Sequence, residues 1–184
     1  IYLFYPAQFW SHKNHANLLI ALHILKQKHN LIMPLVLVGS DKGNEKYIQK
    51  LISKWELSSQ VHILGFVSQD DMTALYQNAL ALTFMTFFGP DNLPPLEAFA
   101  LGCPVIASNV SGAEEQLGDA ALLVDPKSPE QIANAILILY NSPDLRKTLI
   151  ERGLKRAQTW TGPDFVKGIF QILDEFEGIR RCWE

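Results

Sequence analysis

The sequence predicts an α/β fold, a Rossmann-like doubly wound parallel sheet followed by C-terminal helices. Short apolar segments alternate with amphipathic helical patterns, as in strand–helix–strand units with right-handed crossovers. The apolar segments are not interrupted by charge, which is typical of parallel strands covered on both faces. After residue 128 only helical patterns remain.

Six segments are predicted to be strands. They are Ile1–Tyr5, Leu35–Val38, Val61–Leu64, Leu80–Phe84, Pro104–Ala107 and Ala121–Val124. His62 lies in the third of these segments, so we expect a buried, hydrogen-bonded histidine there.

Helical patterns occupy the intervals between the strands. Their apolar stripes are Leu18, Leu22 and Leu25; Ile48, Leu51, Ile52 and Trp55; and Met72, Leu75 and Tyr76. The sequence Ser128-Pro129-Glu130-Gln131 has the form of a capping box and predicts a helix to about Tyr140. Further helices are predicted after Ser142 and over Asp164–Phe176.

Composition indicates one globular domain over residues 1–184. The chain is 48% hydrophobic and 19% charged, and it contains no repeat, low-complexity tract or linker. A net charge of −3 argues against a nucleic-acid partner. No apolar run approaches the ~20 residues of a membrane span.

The expected compartment is the cytoplasm, because Cys103 and Cys182 are too few to suggest a disulfide framework. We expect no signal peptide or transit segment in this chain. The chain begins at Ile1, already inside a predicted strand, so we expect it to be a piece of a longer protein.

Residues 88–108 carry the most informative pattern. A turn-rich loop leads into a short helix that is expected to hold Pro94, Pro95 and Glu97 in its first turn and to end before Gly102. The N-terminus of this helix favours an anion. Glu97 is better suited to accept hydrogen bonds from neutral hydroxyls, such as those of a ribose. The segment therefore predicts a nucleotide site.

This segment resembles the signature of the family-four, or group 1, retaining glycosyltransferases of the GT-B type, roughly E-G-F-G-L-P-x-L-E-A-x-A-x-G-x-P-V-I. Leu93–Ala98 and Gly102–Ile106 match it without gaps. By this resemblance, Glu97 holds the donor ribose. The first glutamate of the signature falls on Gly89, so the carboxylate that usually contacts donor hydroxyls is missing. Asp91 is a candidate substitute.

The resemblance also assigns the loop before the helix to the donor. Gly89, Pro90, Asp91, Asn92 and Leu93 are its expected donor-binding residues. Asn92 stands at a glycine position of the signature, which predicts a positive φ there, since asparagine tolerates this conformation better than most residues.

The loop after the first strand is expected to bind the donor diphosphate. The family places an arginine and a lysine, five residues apart, on this group. Lys13 matches the lysine, whereas Gln8 stands at the arginine position, so one cation is missing. Lys13 and Glu97 are thus the expected catalytic residues. His12 and His15 are interpreted as loop polarity or phosphate contacts rather than as a metal pair.

Two further loops follow strands. Gly39 follows the second strand, where glycine permits close backbone approach to a ligand. Gly65-Phe66-Val67 resembles the family's glycine–aromatic–valine segment, whose backbone reads the nucleobase edge. Gly39, Phe66 and Val67 are therefore added to the donor-binding set.

The resemblance implies the C-terminal, nucleotide-sugar-binding domain of a longer glycosyltransferase. Such an enzyme transfers a hexose-like sugar from a nucleotide-diphosphate donor with retention, without a metal or other cofactor. The acceptor, a sugar, glycan or lipid, is held by the N-terminal domain, so the fragment alone is expected to be inactive. Peripheral association of the full protein with the inner face of the membrane stays open.

Two alternatives remain. The first is a catalytically silent nucleotide or nucleotide-sugar binding module, suggested by the missing glutamate at Gly89. The second is an unrelated α/β enzyme, such as an epimerase or a phosphorylase. The sequence disfavours it, because it has no G-x-G-x-x-G loop and no local motif for a pyridoxal phosphate lysine.

Overall fold

The sheet contains six parallel strands. In this computed structural model, which describes residues 1–89, 92–159 and 162–183, the strands are β1 Leu3–Pro6, β2 Leu35–Val38, β3 Val61–Gly65, β4 Ala81–Phe84, β5 Val105–Ser108 and β6 Ala121–Val124. Their order across the sheet is β3-β2-β1-β4-β5-β6. The predicted Rossmann-like, doubly wound arrangement is confirmed.

Helices connect the strands and extend the chain beyond β6. They are α1 His15–His29, α2 Glu45–Lys54, α3 Gln69–Asn78, α4 Leu93–Ala100, α5 Ala113–Leu117, α6 Pro129–Asn141, α7 Pro143–Ala157 and α8 Gly162–Arg180. Short 3-10 turns lie at Ser11–Lys13, Gly118–Ala120 and Arg181–Trp183. Among these α-helices of the described residues, only α5 has no counterpart in the predicted set.

Two of the helices are preceded by a serine whose hydroxyl caps the helix N-terminus. The Ser68 hydroxyl accepts a hydrogen bond from the Asp71 N–H at 3.1 Å, at the start of α3. The Ser128 hydroxyl accepts one from the Gln131 N–H at 3.3 Å, at the start of α6. The Gln131 side chain does not complete a capping box, because its oxygen accepts from the Asp125 N–H at 3.0 Å instead.

The strand order reverses at the centre of the sheet, where β1 lies between β2 and β4. Leu3 is paired with Leu35 on one side and with Ala81 on the other. Right-handed crossovers then place α1 and α2 on one face of the sheet and α4 and α5 on the other. α6 packs against α1, and α7 packs against α4.

The core lies around the central strands. Every residue of β4 and β5 is buried, whereas burial alternates along β3 at the edge of the sheet. His62 of β3 is exposed, so the prediction of a buried histidine was wrong. Cys103 is buried, Cys182 is exposed, and both are free thiols.

The last long helix differs from the others. α8 has no buried residue, and its exposed apolar side chains include Phe165, Phe170 and Phe176. Within the described ranges, no helix is both long and apolar enough to cross a membrane.

Candidate functional site

The predicted site residues follow strands, at the carboxyl edge of the sheet. In a doubly wound sheet this edge forms a crevice where the strand order reverses, here between β1 and β4. The loops after these two strands are joined by the Phe87 N–H, which donates to the His12 carbonyl at 2.8 Å. The His12 ring also stacks on Phe88 at a centroid distance of 4.6 Å. The fold thus brings the two predicted donor loops together.

The loop after β1 is held by hydrogen bonds from both sides. The Tyr5 hydroxyl donates to the Lys13 carbonyl at 2.6 Å. Asn14 has the left-handed φ of 56°, and its amide donates to the Pro126 carbonyl at 2.8 Å. Asn17 donates to the same carbonyl at 2.8 Å. The start of α1 is therefore fixed against the loop after β6.

Lys13 lies at the crevice between β1 and β4. Its Nζ is 5.1 Å from the ring centroid of Phe84, the last residue of β4, in a cation–π contact. Burial lowers the pKa of this half-buried ammonium group. It forms no ion pair with any carboxylate among the residues that the structure describes. The N-terminus of α1, two residues on, adds the positive end of a helix dipole, so an anion here would meet both charges.

Gln8 supplies no charge to this loop. Its side chain is exposed, and Oε1 accepts a hydrogen bond from the Trp10 indole at 3.0 Å. Burial, assisted by the charge of Lys13, lowers the pKa of His12, which favours a neutral imidazole near pH 7. Lys13 therefore provides the positive charge of this loop near pH 7.

His15 is a core residue beneath the loop. Its ring stacks on Phe9 at 4.7 Å and lies 4.9 Å from the Tyr5 ring. Neither ring nitrogen has a hydrogen-bond partner in the described parts of the chain. Burial lowers the pKa of His15 to about 4. A backbone contact with Ala7, which falls short of hydrogen-bond geometry, raises this pKa, and the charge of Lys13 lowers it further. The interpretation of His15 as loop polarity or a phosphate contact was therefore wrong.

Gly39 joins the loop after β2 to the loop after β1. Its φ is 155°, and a Cβ at this position would lie 2.4 Å from the Ala7 carbonyl oxygen. The Gly39 N–H donates to the Gly65 carbonyl at 2.9 Å. The close approach that the sequence predicts at Gly39 is thus made with the protein's own backbone. Next to Gly65, Phe66 is 93% exposed and Val67 is half-buried.

The N-terminus of α4 differs in two respects from the expectation. Pro94 and Pro95 occupy the second and third helical positions, as predicted for a first turn. Because prolines carry no N–H, only Leu93 and Leu96 supply free amide groups among the first four residues. Glu97 is the fifth helical residue, so its predicted place in the first turn was wrong. Gly102, with φ 70°, follows the helix end as predicted.

Glu97 is anchored by a neighbouring helix. Its Oε2 accepts a hydrogen bond from the Tyr76 hydroxyl of α3 at 2.8 Å. The buried Tyr76 ring packs edge-on against Phe4 at 5.0 Å. Burial, followed by the hydrogen bond and charge of Glu97, raises the pKa of Tyr76, so the hydroxyl remains a donor. Glu97 is exposed, and its Oε1 has no partner in the described residues.

The loop before α4 contains an unusual pair, Gly89 and Asn92. The φ of Asn92 is −80°, so the predicted positive φ was wrong. Asn92 is 7% exposed, and its Oδ1 has no hydrogen-bond partner within the described ranges. This oxygen lies 2.8 Å from the place of a Cβ on Gly89. Pro90 and Asp91, also assigned to the donor, lie outside the described residues, and Leu93 is 57% exposed.

Two contacts of the site involve residues that the sequence did not single out as functional. Tyr76 holds Glu97, and Phe84 lies beside Lys13. Both appeared only as apolar members of a helix stripe and a strand. The partners are far apart in sequence, so no local pattern links them.

Comparison with known proteins identifies related chains. The family model of the group 1 glycosyl transferases matches residues 1–156. The O-antigen chain mannosyltransferase B of Escherichia coli is 29% identical over 160 residues, which are 87% of this chain and 42% of that protein. The chain therefore spans less than half the length of this relative.

Two solved structures resemble the fold. HepE of Anabaena, in complex with UDP and glucose, has a TM-score of 0.82 at 20% identity, over 94% of this chain and 48% of that chain. The C-terminal domain of the group 1 glycosyl transferase LpcC from Francisella tularensis has a TM-score of 0.75 at 22% identity, over 86% and 85% of the two chains. At these identities the likeness concerns the fold, which is that of GT-B glycosyltransferases.

Proposed function

The chain belongs to the group 1 glycosyl transferases, and we propose that it binds the nucleotide-sugar donor at the carboxyl edge of its sheet. The observation that carries this proposal is Lys13, a half-buried cation in the crevice between β1 and β4. It has no carboxylate partner among the described residues. A diphosphate would supply the missing negative charge. The HepE complex with UDP and glucose supports this class of ligand.

In this proposal Lys13 and the N-terminus of α1 hold the donor diphosphate. As the sugar leaves, negative charge builds up on the terminal phosphate, and a cation already in place stabilises it. Gln8 is neutral, so the site works with one cation fewer than the family pattern. We propose no metal or other cofactor for this step.

Glu97 would bind the ribose. Tyr76 occupies Oε2, which leaves Oε1 as an acceptor for a ribose hydroxyl. The exposed Phe66 and the backbone of Val67 follow β3, where the nucleobase would lie. Gly89, Asn92 and Leu93 would approach the phosphate and the sugar, as would Pro90 and Asp91.

The proposed reaction is retaining transfer of a hexose-like sugar to an acceptor sugar, glycan or lipid. The chain corresponds to 42% of the length of the mannosyltransferase, and we propose that the acceptor is held by the remainder of a longer protein. Chain 1–184 alone would then bind the donor without transferring sugar, because catalysis needs closure over both substrates. We propose that the protein is cytoplasmic. If its acceptor is a lipid, we propose that the full protein associates peripherally with the inner face of the membrane.

A second candidate is a catalytically silent module that binds a nucleotide or nucleotide sugar. The replacement of the first signature glutamate by Gly89 favours it. Sugar transfer by the full-length protein would separate the two candidates, since both predict donor binding.

Donor binding is tested by titration calorimetry with the Glu97→Ala variant. This variant should bind UDP or GDP more weakly by roughly 1.5–3 kcal/mol, because hydrogen bonds to a carboxylate are lost. Inorganic pyrophosphate should bind as in wild type, because it has no ribose.

The matched control is Asp144→Ala. Asp144 is exposed and follows α6, about 18 Å along that helix from the carboxyl edge of the sheet. Loss of this carboxylate should leave the affinities for UDP, GDP and pyrophosphate unchanged. Equal affinities of wild type and Glu97→Ala for the nucleoside diphosphates would contradict the ribose role.

A further inference from the structure

Asn92 carries a buried carboxamide without a partner. It directly precedes α4, it is 7% exposed, and its Oδ1 accepts no hydrogen bond in the described residues. A buried, unpaired carbonyl oxygen carries a free-energy penalty. Such groups are rare, and this one lies in the loop assigned to the donor.

Helix capping does not explain this side chain. An asparagine before a helix ordinarily accepts from the backbone N–H of the second or third helical residue. In α4 these residues are Pro94 and Pro95, which have no N–H. The negative φ of Asn92 also makes no use of the tolerance of asparagine for left-handed backbone.

The position of Oδ1 links Asn92 to Gly89. A Cβ on Gly89 would lie 2.8 Å from Oδ1, closer than real Cβ atoms come to a neighbouring atom. The carboxamide therefore occupies the space into which a side chain at position 89 would extend. Position 89 is where the family signature carries the glutamate that contacts donor hydroxyls.

We propose that the Asn92 carboxamide recognises the sugar of the donor, with Oδ1 accepting a hydrogen bond from a sugar hydroxyl. This inference rests on the proposed donor site. The terminal torsion of asparagine is soft, so the carboxamide can turn from Gly89 toward a ligand at little cost. A sugar hydroxyl would then satisfy an oxygen that the fold leaves unpaired, and a neutral amide would serve where the family uses a carboxylate.

The experiment measures how much the sugar adds to donor affinity. Wild-type chain 1–184 is first titrated with UDP and UDP-glucose, and with GDP and GDP-mannose. The nucleotide whose two ligands bind with higher affinity is then used for the variants. Asn92→Ala should weaken binding of the nucleotide sugar about 3- to 10-fold and leave the nucleoside diphosphate unchanged. Asn92→Asp keeps an acceptor at the same atom and should retain the contribution of the sugar.

Two controls accompany this test. Asn141→Ala removes an exposed asparagine at the far end of α6 and should change neither affinity. Thermal unfolding of Asn92→Ala is measured alongside, to show that the variant is folded at the temperature of the titrations; the substitution breaks no Oδ1 hydrogen bond within the described protein.

Three results would overturn the inference. Asn92→Ala could leave both affinities unchanged, it could weaken both equally, or Asp91→Ala alone could abolish the contribution of the sugar, which would assign the role to Asp91. If wild type binds neither nucleoside diphosphate nor nucleotide sugar, the proposed donor site itself fails.

Discussion

The loops after β1 and β4 meet at the same crevice but are held differently. In the loop after β1, the Lys13 carbonyl, the Asn14 amide and the Gln8 side chain all have protein partners. In the loop before α4, the buried Asn92 Oδ1 has none among the described residues, and Phe88 is exposed. The loop after β1 is preorganised by the fold, whereas the loop before α4 has a buried oxygen that the described protein leaves unpaired.

This difference suggests that the two loops have different roles, one in stabilising the diphosphate and the other in recognising the sugar. A cation that stabilises a leaving diphosphate is most effective when it needs no reorganisation during the reaction. A buried acceptor that is unpaired in the free protein gains a hydrogen bond on binding a sugar hydroxyl without first losing one. We therefore expect changes beneath the first loop to affect folding, and changes in the second loop to affect ligand recognition.

The largest effect is expected for Gly39→Ala, which disrupts the support of the loop after β1. The new Cβ would lie 2.4 Å from the Ala7 carbonyl oxygen, at a φ of 155°. Backbone must move to admit it, so we expect a loss of roughly 3–5 kcal/mol in the free energy of unfolding. Urea denaturation measures this loss.

Gly43→Ala is the matched control for this substitution. Gly43 also has a positive φ, 91°, but no atom lies within 4 Å of its Cβ position. Only the backbone strain remains, worth about 1–2 kcal/mol. Equal destabilisation by the two variants would show that contact between the loops after β1 and β2 contributes nothing.

His15 gives the same region a pH dependence. Its folded-state pKa of about 4 lies below the unfolded value of 6.5, so between these values the unfolded chain binds more protons. Stability from this residue is complete above pH 6.5 and is lost as the pH falls toward 4, by about 3 kcal/mol in total.

The measurement compares wild type with His15→Phe, which keeps an aromatic ring between Phe9 and Tyr5. Carboxylates titrate in both proteins, so the difference between their unfolding free energies isolates the imidazole. The variant should gain stability relative to wild type as the pH is lowered from 7 to 4.5. Parallel pH profiles would refute a buried, neutral His15.

Most of the fold was predictable because buried parallel strands leave a direct pattern. β2 and β6 match their predicted bounds, since both are short apolar runs uninterrupted by charge, and β2 is bounded by Pro34 and Gly39. The edge position of β3 was not predictable, because pairing across the sheet decides whether His62 is buried. α5 was missed because a helix of five residues shows no apolar period.

The site was predictable as a set of loops but not as contacts. Strand ends and glycines place Lys13, Gly39 and Gly89 at one edge of the sheet. The bond from Tyr76 to Glu97 joins residues 21 apart in sequence, which no local pattern encodes. Asn92 Oδ1 is unpaired because α4 begins at Leu93, which puts Pro94 and Pro95 at the two positions whose N–H groups would otherwise cap it. The sequence alone did not give this exact start of the helix.

Binding of a nucleoside diphosphate at this edge of the sheet is tested by removing Lys13. Lys13→Ala should weaken UDP or GDP binding by about 1 kcal/mol, or about 5-fold, and leave the bare nucleoside unaffected. The loss should shrink as salt rises, because a partly exposed pair is screened over about 8–10 Å at physiological ionic strength. Gln8→Arg should strengthen diphosphate binding by adding a second cation.

Lys54→Ala, which removes an exposed lysine at the C-terminal end of α2, is the control and should change neither affinity. We expect Lys13→Ala to lose affinity for the diphosphate only, in a salt-dependent way, and to unfold like wild type. Diphosphate affinities that stay unchanged in both Lys13→Ala and Gln8→Arg, with folding intact, would contradict it.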